Sequence, residues 1–267
     1  MSEVTNSLNL VDHIVTDYST HVIVASIILS CLGQIAFRKL IGPERLTACH
    51  EVGGYYFSVV GTFYAVLVGL IIFDAQARFD DAKSDVESES SALFMIHLHA
   101  ARLPQPQGAE IQSLIKTYAN RVIETEWETM KRGHRDDVAR GILIDVSKKL
   151  DAIEPRTQGQ ETVYDKVQDE LTMAWTMRRQ RITLVEYHLP DLEWEVLLIG
   201  GLVTVVFSYF FVLESLWMQA AMTALMSLVI AFNIYVVVEL SNPYLGRVVV
   251  SKKPFQVITT QITRETY

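Results

Sequence analysis

The stretch Gly54–Phe73, GYYFSVVGTFYAVLVGLIIF, runs 20 residues without a charge. A bilayer core of about 30 Å is crossed by roughly 20 apolar residues in a helix. Core helices of soluble proteins rarely stay uncharged that long. The stretch therefore reads as a membrane span, and three other runs join it. Val22–Phe37 is 16 residues long, carries Gln34 and ends at Arg38 and Lys39. Val196–Leu213 holds only Ser, Thr and Tyr as polar groups. Leu216–Val238 is 23 residues long, with Gln219, Thr223, Ser227 and Asn233 as its polar members. Tyr55, Tyr56, Trp194 and Trp217 stand at span ends, where interfacial aromatics belong.

These runs predict an all-α integral membrane protein with four transmembrane helices in two hairpins. A central helical-bundle domain separates the hairpins, and a short extended C-terminal arm follows them. Residues 1–20 are a polar N-terminal segment. Residues 21–73 hold the first hairpin (helices 22–37 and 54–73), with Gly42 and Pro43 in its loop. Residues 74–193 are the helical domain. Residues 194–240 hold the second hairpin (helices 196–213 and 216–238), closed tightly around Glu214 and Ser215. Residues 241–267 are the arm. The N-terminus carries Glu3, Asp12 and Asp17 and lacks the basic start of a signal peptide, so the first run is expected to remain as an anchor.

An even number of spans puts both termini and the domain on one side. That side carries Arg78, Lys83, Arg178, Arg179, Arg181, Arg247, Lys252 and Lys253 near the spans. The other side carries Arg38, Lys39 and Arg45. The count favours a cytoplasmic domain, although those last three lie in the short loop that the positive-inside rule weights most.

The central segment predicts four amphipathic helices. The second span continues without a turn signal to about Ala101, where Pro104 and Pro106 end it. Ile111, Leu114, Ile115, Tyr118, Val122 and Ile123 mark a second apolar stripe, with Trp127 and Met130 following and Gly133 closing it. Val138, Ile142, Val146, Leu150 and Ile153 mark a third. Val163, Val167, Leu171, Trp175, Ile182 and Val185 mark a fourth, before Pro190. Stripes of this kind bundle to bury themselves. In the tail, Asn242, Pro243 and Gly246 read as a turn. The β-branched residues from Gln256 to Thr263 read as extended.

Composition excludes several functions. The net charge of -8 over 267 residues leaves no basic footprint for nucleic acid. Cys31 and Cys49 are too few for a disulfide framework. There is no phosphate-binding glycine loop, HExxH, CxxC or GxSxG, so no catalytic residue can be named and an enzyme is not expected. His97 and His99 fall on different helix faces and make no metal pair. Asp80, Asp81, Asp85, Glu87 and Glu89 read as a solvated face, with cation binding as the alternative. No cofactor or metal is expected. No span holds a charge or a proline, which argues against proton pumps and against discontinuous-helix transporters. Asn233 and Gln34 are expected to bond between helices.

The second span is the unusual one. Gly54, Ser58, Gly61, Ala65 and Gly69 recur every three or four residues, with Thr62 beside them. Such a stripe lets helices approach closely in lipid. It could equally line a path if several copies of the span surround an axis. Asp74, Arg78, Asp80 and Asp81 follow at once, and a ring of copies would set rings of charge at the membrane exit. The opposite face, Val59, Phe63, Val66, Leu70 and Phe73, suits lipid or a hydrophobic constriction.

Several stretches resemble the bestrophin-like membrane proteins, a bacterial family without an assigned function. They are Glu51-Val52-Gly53-Gly54, the run Val60–Gly69, the helix at Asp80-Asp81-Ala82, Tyr118 with Glu126-Trp127, Asn242-Pro243-Tyr244-Leu245-Gly246, and Val250-Ser251. The likeness covers about residues 20–258. The family usually has Pro-Phe where Pro243-Tyr244 stands. The resemblance implies kinship with bestrophins, which are pentameric anion channels with a cytosolic helical domain and a pore lined by the second span. It thus implies an oligomeric, pentameric ion channel of the bacterial inner membrane, with the bilayer, copies of itself and anions as partners. Bestrophins bind calcium through an acidic cluster after the last span. The tail here has none, so calcium activation is not carried over. A membrane-anchored scaffold or sensor whose domain binds a protein is the alternative. A motor-complex subunit would want an intramembrane carboxylate.

Overall fold

The computed structural model describes residues 19–42, 46 and 50–265. Residues 1–18, Pro43, Arg45 and Cys49 lie outside the described residues, and the expected polar segment 1–20 ends in the first residues of α1. In chain order the helices are α1 Ser19–Ile41, α2 His50–Ala100, α3 Gln107–Arg121, a π-helical turn Val122–Glu126, α4 Trp127–Met130, α5 Asp137–Asp151, α6 Gln158–Val185, α7 Asp191–Ser208, α8 Leu216–Ser241 and α9 Lys253–Glu265. No strand occurs among the described residues. The chain forms two compact units. One comprises the chain up to Ala77 with His188–Ser241, and the other Arg78–Tyr187 with Asn242–Tyr267.

α2 is unbroken for 51 residues. Nothing from Ala75 to Ala100 is glycine or proline, so no residue interrupts its hydrogen-bond ladder until Pro104 and Pro106. The chain then turns so tightly that a Cβ on Gly108 would lie 2.4 Å from the Ala100 carbonyl oxygen. Only glycine fits there.

In the apolar unit, α1 packs along α8 and α7 packs on α8. Tyr64 and Val68 of α2 join Leu189, Trp194, Leu197, Val237 and Val238 in one core. The close approach is made by glycines on α7. A Cβ on Gly200 would lie 2.5 Å from the Tyr64 ring, and one on Gly201 would lie 3.0 Å from the Tyr64 hydroxyl. That hydroxyl donates to the Leu197 carbonyl at 3.1 Å.

Three described helices are long and apolar enough to cross a membrane: α1, α2 and α8. The helix at the third expected span, 196–213, has other bounds. It starts at Asp191 and stops at Ser208, so its first turns carry Asp191 and Glu193. Phe210 and Phe211 then turn through tighter bonds to Phe207 and Ser208. The expected two-residue hairpin loop is therefore a seven-residue link, Tyr209–Ser215. Two of its carbonyls, freed from the helix, find side-chain donors. Gln219 Nε2 donates to Phe211 O at 3.0 Å, and Arg38 Nη1 donates to Leu213 O at 2.8 Å. Arg38 Nη1 also donates to Gln219 Oε1 at 2.8 Å. Gln219 and Arg38 thus bond α1 to α8 and to the link before it. Gln34 is buried with neither amide atom bonded, and Asn233 makes no hydrogen bond among the described residues.

The polar unit buries Val86, Leu93, Ile96, Ile111, Ile115, Tyr118, Leu143, Val146, Val167 and Leu171 in one core. Asp136 caps α5 by accepting from Val138 N, and Thr157 caps α6 by accepting from Gln160 N. Val138 itself is 57% exposed, so the buried stripe of α5 begins at Ala139 instead. The tail is also corrected. Asn242 Oδ1 accepts from Tyr244 N at 3.1 Å in the expected turn, but Lys253–Glu265 is a helix rather than an extended arm. Its Phe255, Ile258 and Ile262 fall three to four residues apart and are buried, so tertiary burial overrides the β-branched propensity.

Candidate functional site

Within its own unit α2 is sparsely covered. From Gly53 to Ala77 only Tyr64, Val68 and Ala75 are buried. Among the described residues, nothing packs on the glycines of the small-residue stripe: a Cβ on Gly54, Gly61 or Gly69 would meet nothing within 4 Å. Ser58, Thr62 and Ala65 are exposed. Ser58 and Thr62 bond only to carbonyls one turn back on their own helix.

At about 100° per residue, α2 presents four faces. The buried face holds Tyr64, Val68 and Ala75. The small stripe lies roughly a quarter-turn to one side, and Tyr56, Phe63 and Leu67 a quarter-turn to the other. Tyr55, Val59, Val66 and Phe73 lie opposite the buried face, and Val66 and Phe73 are 56% and 73% exposed.

The four charged residues at the end of the span do not share a face. Asp80 points at least a quarter-turn away from Asp74, Arg78 and Asp81. Asp74, Asp80 and Asp81 are exposed. Arg78 is half-buried and donates to the Tyr187 hydroxyl, with its guanidinium 4.4 Å from the centre of that ring. Arg78 and Asp81 border a polar cleft with Asp85 and Arg179. Burial and the neighbouring Asp81 and Glu89 push the Asp85 carboxyl up to about 6.

The acidic face expected to be solvated is in part the core of a charge cluster. Glu89 and Arg181 are fully buried. Arg181 Nε donates to Glu89 Oε2 at 2.7 Å, and its Nη2 reaches Glu89 Oε1 at 3.0 Å and Glu126 Oε2 at 3.1 Å. The Tyr118 hydroxyl donates to Glu89 Oε1 at 2.5 Å. Arg178 Nη2 donates to Glu126 Oε1 at 2.5 Å and to Asp136 O at 3.0 Å. The two arginines balance the two glutamates, which is what lets this much charge stay buried. Burial works against the Arg181 charge, yet Glu89 and Glu126 hold its pKa well above the ordinary value. Burial, with the Glu89 carboxylate beside it, raises that of Tyr118 well above its ordinary value. The π turn is where Glu126 enters the cluster, and Lys252 of the tail donates to its Ile123 carbonyl at 3.0 Å.

In the sequence Arg178 and Arg181 stand out only as charges near a span. The signal was their spacing. Leu171, Ala174, Arg178, Arg181 and Val185 share the buried stripe of α6. Among the described residues no group of His, Cys, Asp and Glu could hold a metal ion.

A family model described as a bestrophin-like domain matches residues 24–255. A point variant of a bacterial bestrophin homologue from Klebsiella pneumoniae has a similar solved structure. It is 14% identical, has a TM-score of 0.69, and covers 91% of this chain and 98% of that one. Another structure of that homologue is 15% identical with a TM-score of 0.64, covering 91% and 96%. No curated protein matches the sequence.

Proposed function

The chain belongs to the bestrophin-like family of membrane proteins, and we propose that it works as an oligomeric ion channel, passing anions passively along an axis lined by α2. The observation that carries this reading is the bareness of α2 in one protomer: a span with three uncovered faces needs neighbours. Four crossings, α1, α2, α7 and α8, and five copies follow the plan of the family. In a ring of identical copies, the face opposite the packed one points at the axis and the two flanks meet neighbours. Tyr55, Val59, Val66 and Phe73 then line the path. The stripe of Gly54, Ser58, Gly61, Ala65 and Gly69 lies on a flank, with Thr62 between flank and axis. Asp80 turns toward the path at its polar end.

The protein sits in the bacterial inner membrane with the helical domain in the cytoplasm. Native mass of the solubilised protein tests the ring. A pentamer is expected, and a monomer or simple dimer would sink the channel in favour of the scaffold or sensor. A reporter fused after Tyr267 that is active only outside the cytoplasm would overturn the orientation.

A further inference from the structure

A cleft of about 710 Å³ opens within the polar unit between α2 and the tail. That volume falls in the range of small-molecule sites. Its walls are mostly apolar, with Phe79 and Phe94 on the α2 side and Val249 and Val257 on the tail side. Two cations stand in it on opposite walls, Lys83 of α2 and Lys253 of α9. Both are exposed, and neither has an ion-pair partner among the described residues. Among the described residues Glu87 is the only acid in the lining, so two lysines face one carboxylate in a chain of net charge -8. Ser251 and Pro254, at the start of α9, also line it, and Ser251 Oγ accepts from Lys253 N at 3.2 Å. The positive end of the α9 dipole therefore adds to the lysines.

An apolar slot with positive charge at its rim selects a molecule with an apolar body and an anionic head. We propose that this cleft binds an amphiphilic anion, a medium-chain carboxylate or a compound of like chemistry. The apolar chain lies between Val86 of α2 and Val257 of α9, and the head group lies between Lys83 and Lys253. One wall is the helix that continues out of the membrane and the other is the tail, so an occupant would tie the two together. The binding stands apart from the channel reading, because it needs only the polar unit of the full chain.

Octanoate serves as the probe, titrated calorimetrically into the full-length protein in lipid nanodiscs, with octylammonium as the counterpart of opposite charge. Octanoate is expected to saturate at one site per chain, and octylammonium is not expected to compete. Lys83→Gln with Lys253→Gln should weaken binding at least tenfold, while Lys83→Arg with Lys253→Arg should keep it. Val257→Trp should abolish it by filling the cleft. Each variant is first required to melt with the parent. Equal binding by the Gln variants, or by Val257→Trp, would overturn the site and leave only partition into the bilayer. A spin label at Val257→Cys, in a chain with Cys31→Ser and Cys49→Ser, should be mobile until octanoate is added. Immobility without ligand would mean that a second copy covers the cleft, and would also overturn the proposal.

Discussion

The ring of Tyr64 occupies the space that any side chain on Gly200 would need, with a Cβ there lying 2.5 Å from Tyr64 Cδ2. This contact fixes α2 against α7. Gly200→Val is therefore expected to destabilise the apolar unit by about 1–3 kcal/mol, the usual cost of overpacking. Tyr64→Phe keeps the ring and loses only the bond to Leu197 O, at about 0.6 kcal/mol. Thermal unfolding in a single detergent checks the order. A Gly200→Val protein melting with the parent would show that the two helices are not held this way.

Arg181→Met should be among the most damaging changes in the polar unit. It leaves the Glu89 and Glu126 carboxylates buried without their shared partner, a loss of about 3–5 kcal/mol. Adding Glu89→Gln and Glu126→Gln to the same chain should recover part of it by removing the stranded charges. Chemical unfolding of the full chain measures both. If the triple variant is no better than the single one, packing rather than charge balance governs the cluster.

The two faces of α2 should respond differently to substitution. Val66→Ala or Phe73→Ala should change single-channel conductance in bilayers by twofold or more, on the order expected when a lining side chain shrinks. Gly61→Leu or Gly69→Leu should instead shift native mass toward smaller assemblies. Changed conductance with Gly61→Leu in an intact ring would place the small stripe on the path instead of between copies.

Asp85 should make the stability of the polar unit pH-dependent. Its carboxyl is pushed up to about 6 by burial and by Asp81 and Glu89, from 3.8. A raised carboxyl favours its protonated form in the fold. Its contribution is therefore fully present below about pH 4 and is lost as the pH rises through about 6. Asp85→Asn should remove that part of the decline. Unfolding midpoints from pH 4 to 8 measure it, and parallel curves for the two proteins would mean that Asp85 does not titrate in this range.

Much of the architecture was legible because it follows from local patterns. Uncharged runs mark α1, α2 and α8 as long and apolar enough to cross a membrane, prolines stop α2 and α3 starts three residues beyond Pro104, and the stripes name three of the five buried residues of α3 and three of the six of α6. The misses have a common cause. The end of α7 at Ser208 depends on Arg38 and Gln219, 170 residues and 11 residues away in sequence, taking up the freed carbonyls. The helical tail depends on a surface for Phe255 and Ile262 to cover. The burial of Arg178 and Arg181 depends on Glu89 and Glu126, which are brought to them from other helices.

The small stripe of α2 shows the same division. Sequence alone is enough to show that α2 is long and apolar enough to cross a membrane, that one of its faces is small and that it runs on without a break, because length, charge and helical period are local properties. Which helix makes the close approach is set by tertiary packing. Packing is a relation between two surfaces, and the glycines that Tyr64 meets are Gly200 and Gly201 of α7. That leaves the stripe of α2 open and turns Val59, Val66 and Phe73 away from the protomer.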